Sequence, residues 1–396
     1  MSNKRTLNDF FPLSLSTPLA KRSRSSPPPS AATDPPIPGR AFARPSADEE
    51  GDSDLTLAIT LSLQESGFVA PSTPPAEKPE EQPVPSTHLS YPHSIPAFPR
   101  SLELALEGIP AKPSTALKPP EGSPESHRAD LDAHYYRPLI PRATSLAVFT
   151  FLRRELPFYR VNYDIKRGPN ITRINTPRYT TVFGVDDTCV WRPAAESSSP
   201  SFHSQQIFTK CGTGNVVSPS AFERPPRPIP DCLLTLKAHV ERVTQETYNF
   251  ILVNYYANGN DSISYHSDDE RFLGELPAIA SLSLGGVRDF CLKHKDSAKP
   301  NSGPDKVKKK PGEDVIKIPL ESGDMVMMKG RTQSRWLHAL PKRKGDMGSK
   351  GRINITFRKA MVKEGTNNYY RYNVGDGPVW RWDEQKKDMV IWRVSA

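Results

Sequence analysis

The chain has 396 residues, 42 of them proline, and a formal net charge of +9. No apolar run approaches the ~20 residues of a membrane helix, and the polar, charged N-terminus is not a secretory signal, so no membrane partner is expected. Four cysteines (Cys189, Cys211, Cys232, Cys291) lie far apart with no C-x-x-C pair, which speaks against a cysteine-rich zinc module or a disulfide framework and fits a reducing compartment.

Residues 1–128 hold 23 of the prolines and neither cysteine nor tryptophan. Such a stretch buries too little apolar surface to offset the entropy of ordering its backbone, so a long disordered N-terminal arm is predicted ahead of one folded domain. The arm carries 12 basic and 15 acidic residues, which leaves +12 on the remainder of the chain. That excess suits a polyanionic partner such as nucleic acid.

Two islands break the composition of the arm. In Lys4-Arg5-Thr6-Leu7-Asn8-Asp9-Phe10-Phe11, one helical turn puts Leu7 and Phe10 on one face beside Phe11. This pattern resembles the clamp-binding box of replication and repair proteins, with Lys4 where that box usually has Gln. In Asp48–Ser66 an acidic cluster precedes Leu55, Ala58, Ile59 and Ser62 at helical spacing, with Glu65 three residues after Ser62. That order resembles a ubiquitin-interacting motif; the plainer reading is an amphipathic helix packed back on the domain. Leu19-Ala20-Lys21-Arg22-Ser23-Arg24 has the composition of a short nuclear-import signal, a pattern that also arises often by chance.

From Tyr135 the texture changes. Leu146, Phe149, Leu152 and Leu156 predict a helix over 145–156, and Leu233, Leu236, Val240 and Val243 another over 233–243. Strands are predicted at 248–256, 280–284, 289–294, 315–319, 325–328 and 352–359. Short strands between Gly, Pro and charged turns indicate an all-β core, sandwich or barrel, with flanking helices. The basic run 306–310 falls in a loop and reads equally as a solvated turn or a phosphate contact.

Candidate chemistry begins at His266 and Asp268, two apart and on one face of a strand. His338 offers a third ligand. Two His and one carboxylate leave three corners of an octahedron open, as in non-haem Fe(II) oxygenases; zinc hydrolases also use this donor set, but no added general base stands at helical spacing. Arg352, Asn354, Thr356 and Arg358 then alternate with Ile353, Ile355 and Phe357. With the apolar face on the core, the other face puts two guanidiniums in a barrel interior, where they need an anion such as a dicarboxylate. The alternative is a strand with one face in solvent. Asn254 and Tyr256, again two apart, add polar groups to the same kind of pocket.

Asn254-Tyr255-Tyr256, His266-Ser267-Asp268-Asp269-Glu270, Ser281-Leu282-Ser283-Leu284-Gly285, Arg288-Asp289-Phe290, His338 and the alternating Arg352–Arg358 strand together resemble the AlkB family of Fe(II)/2-oxoglutarate dioxygenases, above all its eukaryotic DNA-repair members. The resemblance implies a double-stranded β-helix (jelly roll) over residues 129–361. It implies that His266, Asp268 and His338 bind Fe(II), that Asn254, Tyr256 and Arg352 hold the distal carboxylate of 2-oxoglutarate, and that Asn354 and Arg358 lie near its metal-side carboxylate. O2 would take the remaining iron position, and an N-methyl group on a flipped base would be hydroxylated and lost as formaldehyde. Asp269 and Glu270 look like base-edge contacts. Arg178 is expected to meet phosphate or line the pocket, and Phe183 or Trp191 to stack on the base. The loop Arg167-Gly168-Pro169-Asn170-Ile171 departs from the bulky hydrophobic hairpin of some relatives. Residues 362–396 add an aromatic-rich extension with Tyr369, Tyr370, Tyr372, Trp380, Trp382 and Trp392. The expectation is a nuclear, monomeric DNA demethylase for lesions such as 1-methyladenine and 3-methylcytosine, recruited by a sliding clamp and by ubiquitin. An RNA demethylase with the same site, or a non-catalytic clamp- and ubiquitin-binding scaffold, are the alternatives.

Overall fold

The computed structural model describes residues 85–193, 205–212, 214–298, 314–345, 350–364, 366–367 and 377–392. Outside these lie the clamp-box and ubiquitin-motif segments, Lys21–Arg24, the expected arm up to residue 84, the basic run 306–310, and Tyr369, Tyr370 and Tyr372. Among the described residues no helix is long and apolar enough to cross a membrane.

Helices α1 (Arg100–Glu107), α2 (Glu125–Ala129), α3 (Arg142–Glu155) and α4 (Asp231–Thr244) each follow a proline: Pro99, Pro124, Pro141 and Pro230. Proline's preset φ and missing N–H cost little at a helix start, where the first donors have no intrahelical partner. A fifth, one-turn helix, α5 (Thr332–Arg335), leads into a strand.

The strands run in chain order as β1 (Thr115–Ala116), β2 (Asp132–Tyr136), β3 (Phe158–Tyr159), β4 (Asn162–Arg167), β5 (Asn170–Asn175), β6 (Tyr179–Gly184), β7 (Cys189–Pro193), β8 (Gln205–Thr209) and β9 (Val216–Val217). They continue as β10 (Phe250–Tyr256), β11 (Ile263–His266), β12 (Ile279–Gly285), β13 (Arg288–His294), β14 (Val315–Leu320), β15 (Met325–Lys329), β16 (Trp336–Leu340), β17 (Arg352–Arg358), β18 (Val379–Asp383) and β19 (Asp388–Ile391). A large sheet has the order β1-β2-β15-β12-β17-β10-β6-β3-β18-β19 and a smaller one β11-β16-β13-β14, all antiparallel. These two sheets are the walls of a jelly roll. β4–β5 form a separate hairpin and β7–β8–β9 a separate three-stranded sheet.

Strand periodicity divides the core. On β10, Ile251, Val253 and Tyr255 face outward into one cluster with Val148 and Leu152 of α3 and Leu233, Leu236 and Val240 of α4. Phe250 and Leu252 face inward, with Phe290, Leu292, Val326 and Trp336, into the space between the sheets. The same alternation on β17 sends Ile353, Ile355 and Phe357 to the helix-covered side, as the sequence pattern predicts. Gly323 ties the loop before α3 to the sheet. Its carbonyl accepts from Leu139 and Ile140 N–H at 2.8 and 3.1 Å. Its φ is +93°, and a Cβ there would lie 2.0 Å from the Ile140 carbonyl, so only glycine fits.

Residues 85–128, expected to belong to the arm, are part of the folded domain. Ser86 Oγ donates to Asp231 Oδ2 and accepts from Asp231 N–H, both at 3.0 Å, at the start of α4. Ile95 and Phe98 are fully buried, and the Phe98 ring lies 4.9 Å from that of Phe151 on α3. Leu106 and Ile109 are buried too, and β1 pairs with β2. Phe98→Ala is expected to cost about 3–5 kcal/mol, as for other buried Phe truncations, measured from the urea midpoint. A loss below about 1 kcal/mol would place this segment outside the core.

At the other end, β18 pairs with β3 and forms a hairpin with β19. The Arg153 guanidinium lies 3.8 Å over the Trp382 ring, Trp380 packs on Tyr179 at 5.5 Å, and Trp392 meets His93 at 5.0 Å.

Candidate metal centre and cosubstrate pocket

His266 ends β11 and is the register partner of His338 on β16, so the two rings meet across one ladder with centroids 4.1 Å apart. Asp268 follows in the turn beyond β11. Its Oδ1 lies 4.0 Å from His266 Nε2 and its Oδ2 3.7 Å from His338 Nε2, and all three donor atoms fall within 4.8 Å of one another. One ion of ordinary radius can touch all three.

The protonation states agree with a metal site. His266 Nδ1–H donates to the Ser264 carbonyl at 2.8 Å, which leaves Nε2 unprotonated toward the centre. Burial, helped by the neighbouring His266, pushes His338 down to about 3, and burial lowers His266 as well. Both rings are therefore neutral near pH 7, the form that binds metal. Burial disfavours a charged Asp268, but Arg358, whose Nη2 lies 3.0 Å from Oδ2, and the two histidines outweigh it and hold the carboxyl below its ordinary range. The Asp268 backbone N–H donates to the buried Gln333 Oε1 at 3.0 Å.

One other cluster among the described residues gathers three such donors: His127, His294 and Asp296. Its imidazoles are stacked, 3.7 Å between centroids and 21° between planes. His294 Nδ1 accepts from the Asp296 N–H at 3.2 Å, and Nε2 faces Asp130 at 3.3 Å. Both ring nitrogens of His294 are thus engaged by groups of the fold.

Beside the centre, the inward face of the large sheet is polar. Asn254 pairs with Asn354 across β10–β17, and Tyr256 with Arg352. Asn254 Oδ1 accepts from Thr180 Oγ1 at 2.9 Å and from Arg178 Nε at 3.3 Å. Asn354 Nδ2 donates to Ser281 Oγ at 2.8 Å, and Arg352 Nη2 to Ser283 Oγ at 2.7 Å. The Arg352 carbon centre lies 5.5 Å from the Tyr256 ring. Arg352 is 2% exposed, its Nε has no hydrogen-bond partner among the described residues, and burial pulls it down to about 10. A buried cation with an unused donor is built for an anion, and a dicarboxylate spanning from Arg352 to the metal fits the donor set.

The other expected contacts divide. Arg178 reaches the pocket through Asn254. Glu270 lies beside the centre, where burial and the Asp268 charge push it up to about 7. Asp269 is exposed and pairs with Lys295 at 2.6 Å. Phe183, expected over a base, is instead in the core. It shares the outward face of β6 with Tyr179, is fully buried and packs on Tyr91 at 6.0 Å, while Thr180 and Val182 take the inward face. Trp191 lies on β7 with its ring 5.2 Å from His88, against the small cluster Val185, Cys189, Ile207 and Phe222. The sequence reading assigned no role to Thr180, Ser281, Ser283 or Gln333. The alternation of Ser281 and Ser283 with Leu282 and Leu284 was the available signal for two of them.

A jelly roll with a His–Asp–His centre and a basic inner wall defines the class of domain. Residues 191–358 match the 2OG-Fe(II) oxygenase superfamily, whose name states the cosubstrate and metal that this donor set fits. The chain is 40% identical over 137 residues to the DNA oxidative demethylase ALKBH2 of Homo sapiens, covering 35% of this chain and 49% of that protein. It is 40% identical over 126 residues to the alpha-ketoglutarate-dependent dioxygenase alkB homolog 3 of Mus musculus, covering 32% and 41%. It is 40% identical over 122 residues to the DNA oxidative demethylase ALKBH2 of Arabidopsis thaliana, covering 29% and 38%. The chain spans about half the length, or less, of these relatives.

Proposed function

We propose that this chain is a 2-oxoglutarate-dependent dioxygenase that removes N-methyl groups from DNA bases, of the 1-methyladenine and 3-methylcytosine type. The observation that carries the reading is the convergence of His266, Asp268 and His338 within 4.8 Å beside the buried Arg352. Similarity to proteins named DNA oxidative demethylase supports the choice of substrate.

Fe(II) and 2-oxoglutarate, when bound, would activate O2, placing one oxygen atom in an N–CH3 C–H bond and the other in succinate, with loss of CO2. The protein's part is placement. His266 and His338 present neutral nitrogens and Asp268 the single negative charge. Arg352, Asn254 and Tyr256 would hold the distal carboxylate and so orient the cosubstrate. Glu270, buried beside the centre, would face a base edge with its carboxyl. The N–CH2OH product collapses to N–H and formaldehyde. The arm would recruit: Leu7, Phe10 and Phe11 to a sliding clamp, and Leu55, Ala58, Ile59 and Ser62 to ubiquitin, in the nucleus.

The test is formaldehyde and succinate release with Fe(II) and 2-oxoglutarate on 1-methyladenine in single-stranded DNA, duplex DNA and RNA, beside His266→Ala. DNA turnover lost in the variant is the expected result. Turnover on RNA alone would replace the substrate assignment. No turnover with normal metal uptake would sink the base-repair reading. Titration of peptides 1–20 and 45–70 against clamp and ubiquitin tests recruitment, and two flat titrations would remove it.

A further inference from the structure

Arg288 opens β13, is fully buried, and has no part in the site as described so far. Its Nη2 donates to the carbonyls of Asp261 and Pro341 at 2.7 and 2.8 Å, and its Nη1 to that of Asn258 at 3.2 Å. Asn258 and Asp261 lie in the loop joining β10 to β11, between Tyr256 and His266. Pro341 directly follows β16, three residues beyond His338. One guanidinium therefore clips together the two loops that set the cosubstrate strand and both histidine strands relative to one another. Its carbon centre is also 5.8 Å from the Tyr256 ring, the same ring that Arg352 approaches at 5.5 Å.

Among the described residues no carboxylate lies within ion-pair distance of Arg288; the Asp261 and Asp289 carboxylates act on it only at longer range. A buried cation held by neutral carbonyls is costly, and a hydrophobic side chain would fill the space more cheaply. What only arginine supplies is a planar fork with five donors, wide enough to reach carbonyls on two separate loops. It also adds positive potential behind Tyr256 and Arg352, where the dicarboxylate would sit.

We propose that Arg288 is a positioning residue for the 2-oxoglutarate pocket: it fixes Tyr256 and the spacing between the cosubstrate strand and the histidine pair. The assignment rests on the dioxygenase reading above. The experiment uses the full chain loaded with Mn(II) without oxygen and titrates 2-oxoglutarate by calorimetry, for wild type, Arg288→Lys and Arg288→Ala, each with and without ethylguanidinium. Mn(II) affinity and melting temperature are measured alongside. Arg288→Lys keeps a buried cation and guards against simple unfolding. The expected result is about a tenfold or larger rise in the 2-oxoglutarate Kd for both variants, the scale of one or two lost hydrogen bonds to a charged group. Mn(II) affinity should change less than about threefold in Arg288→Lys, and ethylguanidinium should restore part of the cosubstrate affinity of Arg288→Ala. An unchanged 2-oxoglutarate Kd in folded Arg288→Lys would overturn the assignment. So would parallel loss of melting temperature, Mn(II) and 2-oxoglutarate affinity with no guanidinium rescue, which marks a purely structural residue. A wild-type chain that binds Mn(II) but no 2-oxoglutarate would instead overturn the dioxygenase reading, and this inference with it.

Discussion

Replacing Asp268 with alanine is expected to abolish turnover and to weaken Mn(II) binding by well over the roughly 10–100-fold that loss of an outer-shell partner costs. Among the described residues the carboxylate is the only anionic donor of the cluster, and it sits between the two histidines at 4.0 and 3.7 Å. It also answers Arg358 at 3.0 Å. Removing it breaks the buried pair with Arg358 and takes the carboxylate from between the two imidazoles, so the folded chain itself should also lose stability, about 3–5 kcal/mol for a broken buried pair. Metal titration and urea unfolding read the two effects separately. Asp268→Asn, which keeps the shape but not the charge, should show the metal defect just as strongly. Retained Mn(II) affinity in either variant would mean that this cluster is not the metal centre.

Arg352→Met is expected to separate function from stability in the opposite direction. Arg352 is buried, has one donor unused, and is bound by a serine hydroxyl rather than a carboxylate. Without cosubstrate this cation is uncompensated, so an apolar side chain of similar length should leave the melting temperature of the ligand-free protein unchanged or raise it. The 2-oxoglutarate Kd, by contrast, should rise about a hundredfold or more, since charge-assisted hydrogen bonds contribute about 1.5–3 kcal/mol each. The stabilisation that 2-oxoglutarate confers in a thermal melt should therefore vanish at concentrations that saturate the wild type. A variant that melts far below wild type while keeping its cosubstrate shift would assign Arg352 to the scaffold. Arg288 differs because three backbone carbonyls depend on it.

The β17 wall was legible because it rests on the two-residue period of a strand, which survives any error in strand boundaries; Asp268, expected on a strand with His266, instead lies just beyond the end of β11. Arg352, Asn354 and Arg358 point inward because Ile353, Ile355 and Phe357 must point outward, and the structure places them so. Phe183 was misread because β6 alternates Tyr179, Thr181 and Phe183 with Thr180 and Val182, and neither face is plainly apolar. Only its pairing with β10, Val182 opposite Leu252, decides which side faces the site. Residues 85–128 were misread for a different reason. Their composition is that of an arm, but a few apolar side chains such as Ile95, Phe98 and Leu106 fill gaps in a core that later residues build. Burial of that kind belongs to the assembled domain and leaves no local pattern. Gln333 was hidden likewise, since its partner is a backbone N–H some 65 positions away.

The strand order also bears on how the chain is made. β17 lies between β10 and β12 in the large sheet, and β2 pairs with β15, so neighbours in space are distant in sequence. At about 5–20 residues per second on the ribosome, β10 would wait roughly 5–20 s for β17 to emerge. During that interval two apolar strands carry unpaired edges, and the Arg352–Arg358 face of the pocket is missing. Closure of the barrel is thus a late event of synthesis. Until then the edges of β10 and β12 that β17 covers stay open to pairing with another chain.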